Sequence, residues 1–249
     1  NGAYYRIIRY QDANSRKSYT FSLPCEQIGT NTGWQMLQKR GITIFSGRRK
    51  RELLADYLQT QGAKPPYTVT NKTGWHSNAY ILANGEIIAP HAPIIYNGDT
   101  SRAKGYNVSG SLKDWQQHIA RYAAGNSRLC LALGTALAAP LLSKIHEAGG
   151  GFHIYGNSRD GKTTAALVAL SVWGQPESLK MAWKGTGYGF DNIALASNDN
   201  LLVLDEIGQA KAHVVSDTAY SVLDGKSKIQ GAKEGGNREI IDWRILLFS

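Results

Sequence analysis

The chain has 249 residues and carries 28 Lys/Arg against 19 Asp/Glu, a formal net charge of +9. That length can bury substantial cores and fits two domains of unequal size. The longest apolar run, 129–142, is interrupted by Gly134 and Pro140 and falls short of the ~20 residues a membrane-spanning helix needs; no membrane role is expected.

The positive charge is uneven, with 18 Lys/Arg against 8 Asp/Glu in residues 1–150 and 10 against 11 in residues 151–249. A surplus of that kind favours polyanions, nucleic acid above all. Cys25 and Cys130 lie far apart and the six histidines are scattered, so no zinc-type spacing is present and a reducing cytoplasm is the simple expectation. Both ends read as cuts through a longer polypeptide, since the first residues are already strand-like and the last are an apolar strand.

Residues 1–110 alternate short apolar runs with turn residues. Strands are expected at 4–10, 18–23, 41–45, 67–69, 79–82 and 86–88, with helices at 33–40 and 50–61. This is an α+β module without a catalytic constellation. Ser111 with Asp114 begins a helix that Gly125 ends, and Asn126 caps a second helix running to about residue 147 with a break near Pro140. Residues 111–150 thus form a helical bridge. From 151 the pattern becomes strand (152–155), helix (163–173), strand (179–183), helix (188–196), strand (201–204), helix (214–223) and strand (243–248). Leu201 to Leu204 is apolar at every position, the mark of a strand covered on both faces in a parallel sheet. The expected fold is α/β, a three-layer sandwich with a mostly parallel sheet, cut short at its C-terminal end.

The loop before the 163–173 helix reads GNSRDGKT. Gly156, Asn157, Ser158, Arg159, Asp160, Gly161, Lys162 and Thr163, continued by Thr164, satisfy the G-x-x-x-x-G-K-[ST] pattern between a strand and a helix. Glycines there turn successive amides inward, and the helix N-terminus adds partial positive charge, so the loop suits the phosphates of ATP. Lys162 is expected to reach the β- and γ-phosphates and the Thr163 hydroxyl to ligate Mg²⁺. Asp205 and Glu206 end the apolar strand some forty residues later. Asp205 is expected to hold the magnesium and Glu206 to polarise the attacking water. Ser249, at the end of the last strand, either helps orient that water or is merely the first loop residue.

With these residues placed, the chain resembles an uncharacterised ATPase domain family found in the C-terminal halves of primase-helicases from phages, plasmids and staphylococcal-cassette-like mobile elements. The likeness covers most of the chain and rests on Gly74-Trp75, the stretch 138–142, the P-loop with Val172-Trp173-Gly174, Trp183 with Thr186, and the strand through Asp205-Glu206. It implies a P-loop core of AAA+ type related to minichromosome-maintenance helicases, a homo-oligomeric, hexamer-like ring with ATP between subunits, and a hairpin pointing into a central channel. The matching segment is 225–238, in which the family commonly has an arginine where this chain has Gln230. Lys226, Lys228 and Lys233 in that segment could track a single-stranded DNA backbone without reading bases, or they could be ordinary solvated lysines.

Arg48, Arg49, Lys50 and Arg51 form a second basic block, which could grip duplex DNA but is read first as an ordinary exposed helix face, and Trp34, Trp75 and Trp115 are read as packing residues rather than base-stacking ones. Two functions follow from the motifs: a motor that couples ATP hydrolysis to translocation on DNA or its unwinding during replication of a mobile element, or an ATP-dependent switch or loader that assembles on DNA without unwinding it. No arginine finger or lid is assignable within the chain, so its activity alone is expected to be weak.

Overall fold

A computed structural model describes residues 3–12, 15–63, 65–89, 91–209, 212–229, 231, 235–237 and 240–249, excepting the side chains of 209, 212 and 213. In chain order its elements are β1 (Tyr5–Gln11), β2 (Ser18–Pro24), α1 (Asn31–Gln38), α2 (Arg48–Thr60), β3 (Thr68–Thr70), β4 (Gly74–His76), β5 (Ala79–Ile81), β6 (Ile87–Ile88), β7 (Ile94–Tyr96), α3 (Leu112–His118), α4 (Ser127–Ala138), β8 (Gly150–Phe152), α5 (Lys162–Leu170), α6 (Pro176–Leu179), β9 (Met181–Ala182), α7 (Gly187–Leu195), β10 (Asn200–Asp205), α8 (Ala212–Asp224) and β11 (Ile245–Phe248). They fall into two compact units: Asn1–Thr70 with Ala92–Asn97, and Asn71–His91 with Gly98–Ser249. This division does not follow the breaks expected at 110 and 150.

In the first unit, antiparallel β1 and β2 pair Ile8 with Phe21 and Tyr10 with Tyr19. The face these residues share packs with Leu23, Trp34 and Leu37, and with Leu54, Ala55 and Leu58 of α2. Thr30 caps α1 by accepting the Gly33 N–H at 3.1 Å. A Cβ at Gly33 would stand 1.9 Å from the Gln27 carbonyl oxygen, which restricts the position to glycine. The strand expected at 41–45 is absent. Ile42 and Ile44 do reach the core, but the stretch leaves α1 through turn bonds from Gly41 N–H to the Gln38 carbonyl and Ile42 N–H to the Leu37 carbonyl.

The second unit is built on one four-stranded sheet in the order β8-β11-β10-β9, and all three pairings are parallel. Leu201 and Val203 of β10 and Phe248 of β11 face Ala132 and Ala136 of α4 and Ala165, Ala166 and Ala169 of α5. Leu202, Leu204, Ile245 and Leu247 face the opposite way, onto Phe190, Ala194 and Leu195 of α7 and Val222 of α8. The two-sided burial read from Leu201 to Leu204 is therefore realised, with α4 of the expected helical bridge forming one layer of the sandwich. The first strand of this sheet starts earlier than expected because, in the glycine run 149–151, Gly150 and Gly151 pair with Leu246 and Leu247 of β11. A Cβ at Gly149 would stand 2.8 Å from the Ile245 carbonyl oxygen, and one at Gly151 2.8 Å from the Leu247 Cβ. Pairing then continues past the strand's end, from Ser249 N–H to the Phe152 carbonyl and from Ile154 N–H to the Ser249 carbonyl.

The small antiparallel sheet β4-β5-β6 belongs to the same unit. Trp75 donates its indole N–H to the Pro140 carbonyl at 2.7 Å, and Tyr80 donates its hydroxyl to the Asp199 carbonyl at 2.8 Å. Gly74 sits at φ +82° with an added Cβ only 2.6 Å from the Asn198 carbonyl oxygen, whereas Gly85, at φ +86°, has open space around it. Gly85→Ala should therefore cost only the left-handed backbone penalty of about 1 kcal/mol. Gly74→Ala adds overpacking of roughly 1–3 kcal/mol, and its thermal midpoint should fall further by about 2–4 °C for each added kcal/mol. Equal midpoints for the two variants would contradict the close packing of Gly74.

Candidate nucleotide site

Because the four strands are parallel, their C-terminal ends open on one edge of the sheet, and the motif residues gather there. The loop between β8 and α5 is bent by Arg159 at φ +70° and Gly161 at φ +79°. Gly161 stands at the N-cap of α5, where no side chain caps the helix, and an added Cβ there would meet nothing within 4 Å. The helix thus presents uncapped amides and the positive end of its dipole to open space, the arrangement an anion requires. Lys162 curls back over the loop, its Nζ donating to the carbonyls of Gly156 at 2.9 Å and Asn157 at 2.5 Å. The Asp160 carboxylate accepts the Asn157 N–H at 2.8 Å, so one loop amide already engages an anionic oxygen. Arg128 of α4 donates to the Asp160 carbonyl at 3.3 Å and braces the loop from below.

The second motif meets the first directly. Thr163 Oγ1 donates to Asp205 Oδ2 at 3.0 Å, joining the first turn of α5 to the end of β10. Asp205 Oδ1 accepts the N–H of Glu206 at 2.8 Å, and Glu206 adopts φ +61°, a conformation costly for a non-glycine residue and concentrated at functional sites. Lys180 was not foreseen from the sequence: its Nζ lies 3.2 Å from Glu177 Oε2 and 4.0 Å from Asp205 Oδ2. A lone lysine ahead of a short strand gives no signal, since only the β9–β10 pairing carries it to the acid.

Ser249 sits at the end of β11, the strand between β8 and β10. Its hydroxyl oxygen accepts the indole N–H of the buried Trp183 at 2.8 Å and lies 3.3 Å from Nδ1 of His153. Trp183 also reaches the Leu204 carbonyl at 3.1 Å. These contacts fix the Ser249 side chain in place, and neither Trp183 nor His153 was identifiable in this role from spacing.

Ser158 lies exposed in the loop and Thr164 exposed on the first turn of α5. Lys226 forms an isolated antiparallel bridge with Asp242, and Ser227 N–H bonds the Ile241 carbonyl at 2.8 Å, so the base of a hairpin is present. Gln230 and Lys233 lie outside the described residues. Trp34 is buried, and Trp115 donates to Ser171 Oγ at 2.9 Å, as packing residues do. Burial raises the Asp191 carboxyl of α7 above the usual carboxylate range, and a hydrogen bond from Ser221 and the charge of Lys228 each offset part of that rise. The charge of Lys228 thus acts on a carboxyl of its own unit.

At the other edge of the sheet a cleft of about 340 Å³ is lined by Lys72, His76, Asp199, Asp242 and Arg244 among others. Charges there pair within the cleft, Lys72 with Asp242 at 3.2 Å and Arg244 with Asp199 at 3.8 Å, and the first pair steadies the hairpin base.

Trp183→Phe and Ser249→Ala each remove one end of the same hydrogen bond, so a double-mutant cycle by denaturant unfolding should return a coupling of about 0.5–1.5 kcal/mol; strict additivity would contradict the bond. A carboxyl whose folded pKa is raised costs stability when ionised, and that cost is absent below its unfolded pKa and appears as pH rises through the folded one. Lys228→Gln should accordingly lower the melting temperature at neutral pH and leave it unchanged in acid, where Asp191 is protonated. A loss of equal size at both pH values would contradict this charge effect.

No helix among the described residues is long and apolar enough to cross a membrane. No curated protein matches the chain. A solved structure described as "SCCmec type IV Cch - active helicase" is similar with a TM-score of 0.65 and 21% sequence identity, over 98% of this chain and 49% of that one. The chain thus spans about half the length of that helicase and shares its fold over that half. The profile of a family described as "Domain of unknown function (DUF927)" matches residues 1–241, and the chain belongs to the DUF927 family.

Proposed function

We propose that the second unit is an ATP-binding and ATP-hydrolysing domain of a replicative helicase-like protein from a mobile genetic element, with a P-loop core of AAA+ type. The observation that carries the reading is the 3.0 Å hydrogen bond between Thr163 and Asp205. It brings the hydroxyl and carboxylate expected to hold a divalent cation to one point, beside the uncapped start of α5. Magnesium bound there would neutralise phosphate charge and activate the transferred group toward water.

The chain's own residues supply the rest. Lys162 already donates to two carbonyls of the loop and would exchange them for β- and γ-phosphate oxygens, while Gly156 to Thr164 would wrap the phosphates with backbone amides. Glu206 would accept a proton from the attacking water, and Ser249, held by Trp183, would orient that water. Lys180 would balance charge on Asp205. By likeness to the helicase structure, which is twice as long, the intact protein would act on DNA. There it would form a ring, hexameric by the family resemblance, and contact single strands through the hairpin carrying Lys226, Lys228 and Lys233. A DNA-assembly switch uses the same site and differs only in lacking strand displacement.

Lys162→Ala should weaken ATP binding by about 10–100-fold in calorimetric titration, the scale of removing a charge-assisted hydrogen bond. Glu206→Gln should leave binding intact and slow single-turnover hydrolysis by about 10²–10⁴-fold. Unaltered hydrolysis in Glu206→Gln would defeat the assignment of the base.

A further inference from the structure

The first unit contains none of the residues of the nucleotide site, yet it holds 11 Lys/Arg against 4 Asp/Glu, most of the chain's net positive charge in less than a third of its length. Helix α2 shows where that charge is presented. Leu54, Ala55 and Leu58 turn inward to the core. Arg49, Lys50, Leu53 and Tyr57 recur at helical spacing on an adjoining, solvent-facing side, and Leu53 and Tyr57 are each 60% exposed. Phe45, just before the helix, is 58% exposed. Lys50 Nζ sits 4.5 Å from the Phe45 ring centroid, and Arg51 donates to the Phe45 carbonyl at 2.9 Å, holding the ring beside the basic turn. An amphipathic surface helix has no folding reason to carry a second apolar stripe outward. Lysines and arginines placed only for solubility have no reason to share that stripe with two aromatic rings.

We infer that this face, formed by Phe45, Arg49, Lys50, Leu53 and Tyr57, is a binding site for single-stranded nucleic acid. Aromatic rings stack on unpaired bases of any sequence, and flanking cations follow the phosphates. Charge complementarity selects this occupant: the unit is cationic overall, and Arg49 and Lys50 stand along the chain between the exposed Phe45 ring and the exposed Leu53 and Tyr57 side chains. A purely apolar partner helix would leave Arg49 and Lys50 unanswered, and duplex DNA would leave the rings unstacked. The site goes beyond the nucleotide-dependent reading, because it needs no ATP and lies apart in sequence from the hairpin lysines.

The test measures fluorescence anisotropy of a labelled oligothymidine and of a duplex of equal length, over a salt series, with the full 249-residue chain and no nucleotide. Arg49→Gln with Lys50→Gln should weaken single-strand binding about tenfold and reduce the logarithmic salt slope by about 1.4, or ~0.7 for each phosphate no longer neutralised. Phe45→Ala with Tyr57→Ala should weaken it by about tenfold or more while leaving the slope unchanged, and should scarcely affect the duplex. Both pairs are exposed, so thermal midpoints should match the parent chain. Single-strand affinity unchanged in both variants overturns the inference, as does loss of binding to anionic lipid vesicles with oligothymidine binding intact. Lys162→Ala should leave this binding untouched; failure of the nucleotide reading and failure of this one therefore register in different variants.

Discussion

The central constraint on the second unit is that β10 is apolar on both faces. Leu201 to Leu204 can only be buried if helices cover the sheet on each side, and α4 with α5 on one face and α7 with α8 on the other do so. The helices that cover the two faces are carried by crossover connections, and these join the strands in parallel. Parallel strands bring the loop after β8, the acids after β10 and Ser249 after β11 to one edge. The meeting of Thr163 and Asp205 thus follows from hydrophobic burial in the strand that precedes the acid.

That logic also explains what the sequence made legible. A glycine-bounded loop ending in Lys162-Thr163 and an apolar strand ending in Asp205-Glu206 are local patterns, and each survives in the structure at its expected place. The glycine run 149–151 carries a weaker signal, because glycine marks a turn when read alone and a strand only when Ile245 and Leu247 press against it. Likewise, α4 reads as a bridge until its alanines are seen to fit against the alanines of α5, where two helices approach closely over the sheet. Contacts made across long separations carry no local signal at all. Trp183 reaching Ser249, Lys180 reaching Asp205, and the stretch Asn71–His91 belonging to the second unit are all of this kind.

Polar side chains away from the site are used mainly to fix backbone segments to one another. Asn198 donates to the Thr73 carbonyl and accepts from the Arg244 N–H, each at 2.8 Å, and Thr73 donates its hydroxyl to the Leu195 carbonyl at 3.0 Å. Buried polar groups satisfied in this way specify one arrangement, because any displacement would leave donors unpaired in a dry interior. The strand preceding Asp205 is therefore anchored at both ends, by this network at its start and by Thr163 at its finish. Lys72 and Asp242 extend the network to the base of the hairpin, giving a continuous physical connection from the edge opposite the loop to the segment that carries Lys226 and Lys228.

The most direct measurement is a crystal structure of the chain with magnesium and a non-hydrolysable ATP analogue. The account predicts phosphate oxygens within about 3 Å of the amides of Gly161, Lys162 and Thr163, with magnesium about 2.1 Å from Thr163 Oγ1 and Asp205 reaching it directly or through water. Nucleotide bound at another edge of the sheet, or a loop that stays closed on Asp160 with no phosphate in it at saturating analogue, would contradict it.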